Sequence, residues 1–472
     1  MKLNFVQNLD FSASKNGNYL EAVLQIVKYL KTNEVVTPHG KYWKASPEPG
    51  NEYKGDLMIT PKGLYAGSAG IGQFFLQLYD VTQDEVYLQE AKDAAEYILN
   101  TYEGKQFFDN VLNGNDGGVW PVKGWGTSVY ASPAGQAIFV EQLYEHTGNP
   151  RYREFLIRTA DDSIAAGVDD GNTLHWSTEA DLMADGSYAF FFLYVYRKTK
   201  DKKYLEAAKK VVAFTDTRIV HAKEGGIYYK NVDLTLVGWK SKESVFPNFS
   251  HGAAGSAFLN VLLYEETKEK AYLDKANEVV KFLSAIVEGD ENGALIPYLY
   301  NPEKGRFHDF YYLSTCHGPV GTTLLFRKLF DVTQNKENLE WVDLLTKGIL
   351  KTGAPLKHTP GYWNSYCLCC GAPGVLAHFV KTAEVLNDES YIEQAKLTAD
   401  KLLGDSWNDD KGRRWFAAWT RKLPGFVETY TGLYDGAAGV GTALLYLYAH
   451  EKGIKIKTET VEYLFLNPVK AA

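Results

Sequence analysis

Apolar and polar positions follow two helical patterns along most of the chain. Some segments are apolar on nearly every side, such as Ile71–Tyr79 and Val440–Tyr448, which is typical of a helix buried on both faces. Others carry apolar residues at i, i+1, i+4, i+8 and i+11 beside a charged face, as in Tyr87–Leu99 and Tyr272–Leu283. That spacing predicts amphipathic helices. The two patterns alternate, so the sequence predicts pairs of one inner and one outer helix.

A short glycine-rich turn precedes each fully apolar segment. The turns lie near residues 67–70, 132–135, 186–189, 252–255, 318–321, 371–374 and 436–439. A repeat of this kind, continued without a linker, predicts one all-α domain over residues 1–472. Counting the amphipathic stripe at Tyr19–Leu30 gives seven inner and seven outer helices. We therefore expect an α/α toroid, an (α/α)7 barrel whose closure removes the need for capping repeats.

Aromatic, β-like segments lie between the outer helices and the next glycine turns. Examples are Lys41–Lys44, Gly118–Pro121, Gly226–Lys230 and Arg414–Trp419. We expect them to form short loops at the end of the barrel where the turns lie. Each inner helix then points its N-terminus at the same mouth, and helix N-termini favour anionic groups.

Composition and charge exclude several classes of protein. The net charge of −8 argues against a nucleic-acid partner, because such proteins normally present a basic face. No stretch approaches the roughly 20 apolar residues that span a bilayer, and residues 1–16 lack the apolar core of a signal peptide. We therefore expect a cytoplasmic protein that is not an integral membrane protein. In that compartment, four clustered cysteines indicate metal binding or catalysis rather than disulfides.

Three of the four cysteines stand directly before the glycine turns of two neighbouring repeats. Cys316 stands two residues before a turn glycine, and Cys369 and Cys370 stand two and one before the next. If the repeats superimpose, these thiols lie at one depth on neighbouring helices. Three thiolates suit one Zn²⁺ per chain and leave a fourth position open, which is typical of a catalytic site. The alternative is a set of buried core cysteines, and Cys367, which is off the repeat position, fits that alternative better.

Three further side chains are candidates for proton transfer. His251 precedes its turn glycine by one residue, at a helix N-terminus that favours the neutral imidazole. His317 is a ligand beside Cys316, a second acid/base group or a packing residue, and we favour the second role. Asp181 precedes the third turn and either faces the cavity or is a solvated loop carboxylate.

The seven glycine-marked helices, the Cys of repeat five and the Cys-x-Gly pattern of repeat six resemble the lanthionine synthetase C family from about residue 17 to 453. The resemblance implies that Cys316, Cys369 and Cys370 hold zinc, with Cys-Cys-Gly replacing the usual Cys-His-Gly. It also implies that His251 is the acid/base. His317 is similar to the eukaryotic members. Tyr312 stands where many bacterial cyclases have Arg, and Asp181 is displaced by one residue from the family's Asp.

The resemblance implies a zinc-dependent lanthipeptide cyclase, which adds peptide Cys thiolates to dehydroalanine or dehydrobutyrine and forms thioether rings. Its partners would be a dehydrated precursor peptide and a dehydratase or transporter complex, through which it would associate peripherally with a membrane. A protein that binds or adds a small thiol such as glutathione is the alternative. A carbohydrate-active α/α-barrel hydrolase or epimerase is a third reading, which needs paired cavity carboxylates such as Asp185 and Asp435.

Overall fold

Two concentric rings of helices make up most of the computed structural model. It describes residues 18–45, 61–113, 123–237, 243–303, 305–306, 311–357, 365–417 and 427–467. The expected aromatic loop at 118–121 and the end of the one at 414–419 lie outside these residues. The seven inner helices are α2 (Ser68–Thr82), α6 (Pro133–Thr147), α8 (Ser187–Thr199), α10 (Ala253–Thr267), α12 (Pro319–Thr333), α14 (Ala372–Leu386) and α16 (Ala437–Lys452).

Seven outer helices pack antiparallel against the inner ones. They are α1 (Tyr19–Thr32), α3 (Glu85–Asn100), α7 (Pro150–Ala166), α9 (Lys202–Asp216), α11 (Lys270–Ile286), α13 (Glu337–Thr352) and α15 (Ser390–Gly404). The N-terminal α1 packs on α16, the last inner helix, so the seventh pair joins the two ends of the chain. Two short helices, α4 (Gln106–Leu112) and α5 (Lys123–Thr127), and a 3-10 turn at Leu234–Val237 complete the set. The expected (α/α)7 barrel is confirmed. None of the helices in the described ranges is long and apolar enough to cross a membrane.

The closing residue of each glycine turn is small because two backbones approach closely there. A Cβ on Gly321 would lie 2.0 Å from the Thr315 carbonyl oxygen and 2.6 Å from Cβ of Phe249 in the preceding repeat. Gly70 of the first repeat meets Leu433 of the last repeat in the same way, at 2.7 Å. The contact that joins successive repeats therefore also closes the ring between the last and the first.

Tight turns connect the first six inner helices to the outer helices that follow them. Every inner helix ends at a residue in the left-handed conformation, whose N–H bonds a carbonyl in the last turn of the helix. Several outer helices then begin at once with a side-chain cap, as Asp84 and Asn149 show. These caps satisfy helix-end backbone groups and hold the paired helices antiparallel.

Short antiparallel hairpins follow five of the outer helices in the described residues, as the aromatic β-like segments predict. The strands are β1 (Glu34–Thr37), β2 (Gly40–Trp43), β3 (Val168–Asp169), β4 (Leu174–His175), β5 (Ile219–His221), β6 (Ile227–Tyr229), β7 (Glu288–Asp290), β8 (Gly293–Leu295), β9 (Tyr300–Asn301), β10 (Gly305–Arg306), β11 (Trp407–Asp409), β12 (Gly412–Arg414), β13 (Phe416–Ala417) and β14 (Glu428–Thr429). They pair only in twos, in chain order. No larger sheet forms within the described residues, and the hairpins cover the barrel end that carries the glycine turns.

The segment that follows α16, residues 454–467, packs inside the ring of inner helices. Its Val461 and Phe465 are buried. The Glu459 carbonyl accepts hydrogen bonds from Gln73 on α2 and Gln142 on α6, at 3.0 and 2.8 Å. We call residues 454–467 the C-terminal segment. It fills the centre of the barrel from the ends of the inner helices towards the glycine turns.

Candidate metal centre

Backbone hydrogen bonds join the glycine turns of neighbouring repeats and fix their relative height. In these turns, the residue five positions before the closing small residue donates its N–H to the carbonyl of the equivalent residue in the next repeat. Ser250 donates to Cys316 at 2.8 Å and Cys369 donates to Tyr434 at 3.2 Å. Tyr434 in turn donates to Tyr65 at 2.9 Å, across the boundary between the last and first repeats. The repeats therefore superimpose at this level, as the placement of the thiols requires.

Three cysteine side chains meet at this level. The sulfur of Cys316 lies 2.7 Å from that of Cys369 and 3.6 Å from that of Cys370, and the last two sulfurs are 3.4 Å apart. All three side chains are buried and none forms a disulfide. They form a group that could hold a metal ion. The sequence-based prediction that these residues come together is correct.

The chemistry of the three thiols suits a thiophilic cation. A hydrogen bond with Cys369 lowers the pKa of Cys316, but contact with Cys370 and burial outweigh it and raise that pKa well above its usual value. The hydrogen bond with Cys316 and burial likewise raise the pKa of Cys369. Because burial disfavours the charged form, three thiolates at this position would need compensating positive charge. Zn²⁺ with Zn–S bonds of about 2.3 Å sets tetrahedral sulfur–sulfur separations of about 3.8 Å, close to two of the three separations here, so the donor set fits zinc.

A histidine–aspartate pair stands in the repeat next to Cys316. His251 places Nδ1 3.0 Å from Oδ2 of Asp181, whose other oxygen accepts the Met183 N–H at 2.8 Å. The Asp181 side chain is fully buried, so the expectation of a solvated loop carboxylate is wrong. An Asp acceptor assigns the proton to Nδ1 of the neutral imidazole and leaves Nε2 as the acceptor. His251 retains 10 % exposure, and its Nε2 has no hydrogen-bond partner in the part of the chain that the structure describes.

His317 packs among rings rather than joining the thiol group. Its ring stacks on His251 with centroids 5.1 Å apart and lies 4.3 Å from Phe246. Tyr312, the residue at the family's Arg position, lies 5.2 Å from His317 on another side. Burial, together with the neighbouring Cys370 and Cys316, raises the pKa of Tyr312 well above its usual value. The Tyr312 phenol therefore stays protonated and adjoins the thiols.

Cys367 and Asp185, which are candidates for other roles in the sequence, form hydrogen bonds within the protein. Cys367 is buried, and its sulfur accepts the Cys370 N–H at 3.3 Å, so it supports the backbone of a neighbouring ligand candidate. Asp185 accepts hydrogen bonds from the N–H groups of Trp176 and Ser177 at 2.7 and 2.6 Å. Burial raises the pKa of Asp185 to about 6. Both of its oxygens are engaged inside the protein, which is unfavourable for the carbohydrate-active reading.

A buried carboxylate beneath the thiols was not predicted. Glu462 of the C-terminal segment accepts hydrogen bonds from the hydroxyls of Tyr130 and Tyr434, each at 2.8 Å. Burial raises the pKa of Glu462. The tyrosines carried a usable signal, because Tyr65, Tyr130 and Tyr434 occupy the same repeat position as Cys316 and Cys369. Glu462 carried none, since it lies outside the repeats.

The fold and site together define an α/α barrel with a buried three-thiol group at its mouth. The model of the lanthionine synthetase C-like protein family matches residues 58–124, 184–281 and 231–455. The chain belongs to this family, as the sequence resemblance indicates.

One of two similar solved structures supports the fold. A structure titled nisin cyclase is 14% identical, covers 96% of this chain and 98% of its own, and superimposes with a TM-score of 0.59. A family 76 glycoside hydrolase from a bovine Bacteroides thetaiotaomicron strain is 14% identical, covers 95% of this chain and 79% of its own, and has a TM-score of 0.46. No curated protein sequence matches this chain.

Proposed function

We propose that this protein is a zinc-dependent lanthipeptide cyclase. It would add Cys thiolates of a dehydrated precursor peptide to dehydroalanine or dehydrobutyrine residues of the same peptide, forming lanthionine or methyllanthionine thioether rings. The observation that carries the proposal is the group of Cys316, Cys369 and Cys370 beside the His251–Asp181 pair, at the mouth of a lanthionine synthetase C-like barrel. The fold shared with a nisin cyclase supports the same activity.

Cys316, Cys369 and Cys370 would hold one Zn²⁺ through their sulfurs. A zinc ion with three protein ligands keeps one position for a substrate and stabilises thiolate near neutral pH. Three protein thiolates give the site a larger negative charge than a set containing histidine would. A substrate thiolate is then less tightly held and more nucleophilic.

His251 is the residue we assign to proton transfer. In the proposed reaction the peptide thiolate forms a C–S bond with the β-carbon of the dehydro residue, and the π electrons move to give an enolate. Nε2 of His251 would accept the proton that the peptide thiol loses and then return it to the α-carbon of the enolate. Asp181 holds Nδ1 and so orients the ring; its buried negative charge stabilises the imidazolium before the proton leaves.

The surrounding rings restrict water around the reacting groups. Phe246 and Trp125 lie against His251, with centroid distances of 5.7 and 5.1 Å. Tyr312 adjoins the thiols, and its ring lies 5.2 Å from that of His317. A protonated phenol and an imidazole at this position are donors that can stabilise the enolate oxygen.

A protein that adds or binds a small thiol such as glutathione is the second candidate. His317, stacked on His251, favours it, because this residue resembles the eukaryotic family members. Both candidates use the same thiol group and the same proton donor. They differ in whether the nucleophile belongs to the peptide or comes from solution.

Metal content and ring formation test the proposal together. Zinc in the purified protein is measured by elemental mass spectrometry for wild type, Cys316→Ala and Cys367→Ala. We expect about one zinc per chain in wild type and in Cys367→Ala, and none in Cys316→Ala. The Cys367 variant is a matched control because it removes a buried cysteine outside the metal group.

Activity is measured on a synthetic peptide with one Cys and one dehydroalanine, by following the loss of alkylatable thiol at unchanged mass. Wild type should accelerate cyclisation and Cys316→Ala should not. A variant that keeps both zinc and activity, or a wild type without zinc, would overturn the proposal. A peptide that lacks Cys, mixed with glutathione, separates the second candidate: acceleration of that addition alone would favour thiol addition from solution.

A further inference from the structure

A cavity opens at the end of the barrel opposite the thiol group. It has a volume of about 520 Å³, within the range of small-molecule sites. The last turns of α6 and α8, the middle of α12 and the C-terminal segment form its walls. Nothing in the proposed cyclase reaction uses this cavity.

Arg327 lines this cavity without a hydrogen-bonded acceptor for its charge. Its side chain is 6 % exposed, and its Nε is enclosed without a partner. It makes no hydrogen bond or ion pair with any residue in the described ranges, and its Cζ lies 6.0 Å from the centroid of the Tyr463 ring. Asp331, one turn along the helix, already accepts the Asn467 N–H at 2.9 Å. A guanidinium is always charged, so burial without an anion is unfavourable.

The neighbouring buried cations show that the fold can satisfy such groups. Lys328, next in the sequence and fully buried, bonds Glu265 at 2.6 Å and the Phe465 carbonyl at 2.7 Å. Lys381 on the cavity wall bonds Glu459 at 2.9 Å. Arg327 differs from these lysines because no acceptor in the described residues bonds it. This difference indicates that a bound ligand supplies the acceptor.

Further donors face the same cavity. The Tyr194 hydroxyl is enclosed without a partner on another wall, and burial raises the pKa of Tyr194 well above its usual value, so the hydroxyl stays a donor. Lys455 and Lys457 are exposed at the rim and form no ion pair among the residues described. Six lining side chains are basic and three are acidic, in a chain whose net charge is −8. Arg197, Lys198 and Lys381 pair with carboxylates, which leaves Arg327, Lys455 and Lys457 as the basic lining side chains without an ion pair in the described ranges.

We propose that this cavity binds the phosphate group of a small organic molecule. Arg327 would pair with two phosphate oxygens, which the planar guanidinium matches, and Tyr194 and the rim lysines would complete the site. A dianion balances the excess of basic side chains better than a single carboxylate does. The volume exceeds that of a phosphate group alone, and Ile456 and Leu464 offer apolar surface for the rest of the ligand.

Inorganic phosphate is the probe for the test. Thermal unfolding of the full chain is followed in sodium phosphate and in sodium chloride of equal ionic strength, and affinity is measured by calorimetry. We compare wild type, Arg327→Met and Arg151→Met. Arg151 pairs with Glu96 on the outer surface, so the Arg151→Met substitution removes the same charge away from the cavity. Phosphate should raise the Tm of wild type and Arg151→Met above the chloride value. Arg327→Met should lose that increment and bind phosphate at least about tenfold more weakly.

The same variants give a second readout. Without phosphate, Arg327→Met should be at least as stable as wild type, because it removes a buried charge that has no hydrogen-bonded acceptor. Tyr194→Phe, which deletes one hydroxyl, should weaken phosphate binding even if Arg327→Met does not fold. Equal phosphate increments in all variants would overturn the site. Succinate bound as tightly as phosphate would overturn the phosphate assignment.

Discussion

Asp80 ties the C-terminal segment to the inner ring, and its replacement by asparagine tests that connection. One oxygen of this buried carboxylate accepts the N–H groups of Lys457 and Thr458 at 3.0 and 2.8 Å. The other lies 2.7 Å from Nε2 of His146. Asp80→Asn keeps the shape of the side chain and removes its charge.

The size of the effect follows from these three contacts. A hydrogen bond to a charged group contributes about 1.5–3 kcal/mol and a neutral one about 0.5–1.5 kcal/mol. Removing the charge therefore costs about 1 kcal/mol at each contact, or about 3 kcal/mol in all, a value that agrees with the loss expected for breaking a buried ion pair. The destabilisation should be concentrated in the C-terminal segment, because two of the three contacts hold its backbone.

Two measurements check this prediction. Urea unfolding near pH 6 should show a lower midpoint for Asp80→Asn, and limited trypsin digestion should cleave faster after Lys455 and Lys457, whose side chains are exposed. Asp84→Asn is the matched control, since Asp84 is an exposed helix cap and asparagine caps equally well. An unchanged midpoint together with an unchanged cleavage rate would refute the reasoning.

Three more predictions follow from the described contacts. Burial lowers the pKa of His146, but hydrogen bonds with Asp80 and a backbone carbonyl outweigh it and raise that pKa above 6.5. The contribution of His146 to stability is therefore full below pH 6.5 and is lost as the pH rises through the raised pKa. His146→Gln should remove this pH dependence from the free energy of unfolding. Asp181→Asn should lower kcat about 10- to 100-fold at unchanged zinc content; full activity would exclude a positioning role. Gly321→Ala should destabilise by about 1–3 kcal/mol and weaken zinc retention, since its Cβ would meet the Thr315 carbonyl at 2.0 Å; an unchanged Tm would contradict that.

The repeat made most of the fold predictable from the sequence. A glycine at the closing position of the turn, such as Gly321, indicates a close approach of the backbone, and such an approach occurs at six of the seven turns. The ends of the inner helices were less readable. Gly148 and Asn387 are usual left-handed caps, but Lys200 and Lys268 adopt the same conformation without any local preference for it. There the packing of the helix pair decides the backbone geometry.

The site was predictable as far as it follows the repeat. Cys316, Cys369 and His251 could be placed because their positions relative to the turn glycines are regular. The hydrogen bond of Asp181 and the ring packing of His317 could not be predicted, because they depend on the directions of side chains from different repeats. Glu462 and Arg327 were beyond reach for a different reason: their surroundings are set by the C-terminal segment, which follows no periodic pattern.

The way the ring closes has a consequence for the order in which the molecule assembles. The sulfurs of Cys316 and Cys369 are separated by 53 residues of chain, whereas the contact between Gln77 and Tyr446 across the ring boundary joins residues 369 apart. Closing the longer loop costs about 2 kcal/mol more in chain entropy. Repeats five and six can therefore bring their thiols together while the ring is still open. A nascent chain could in this way assemble its three-thiol group before the first repeat meets the last.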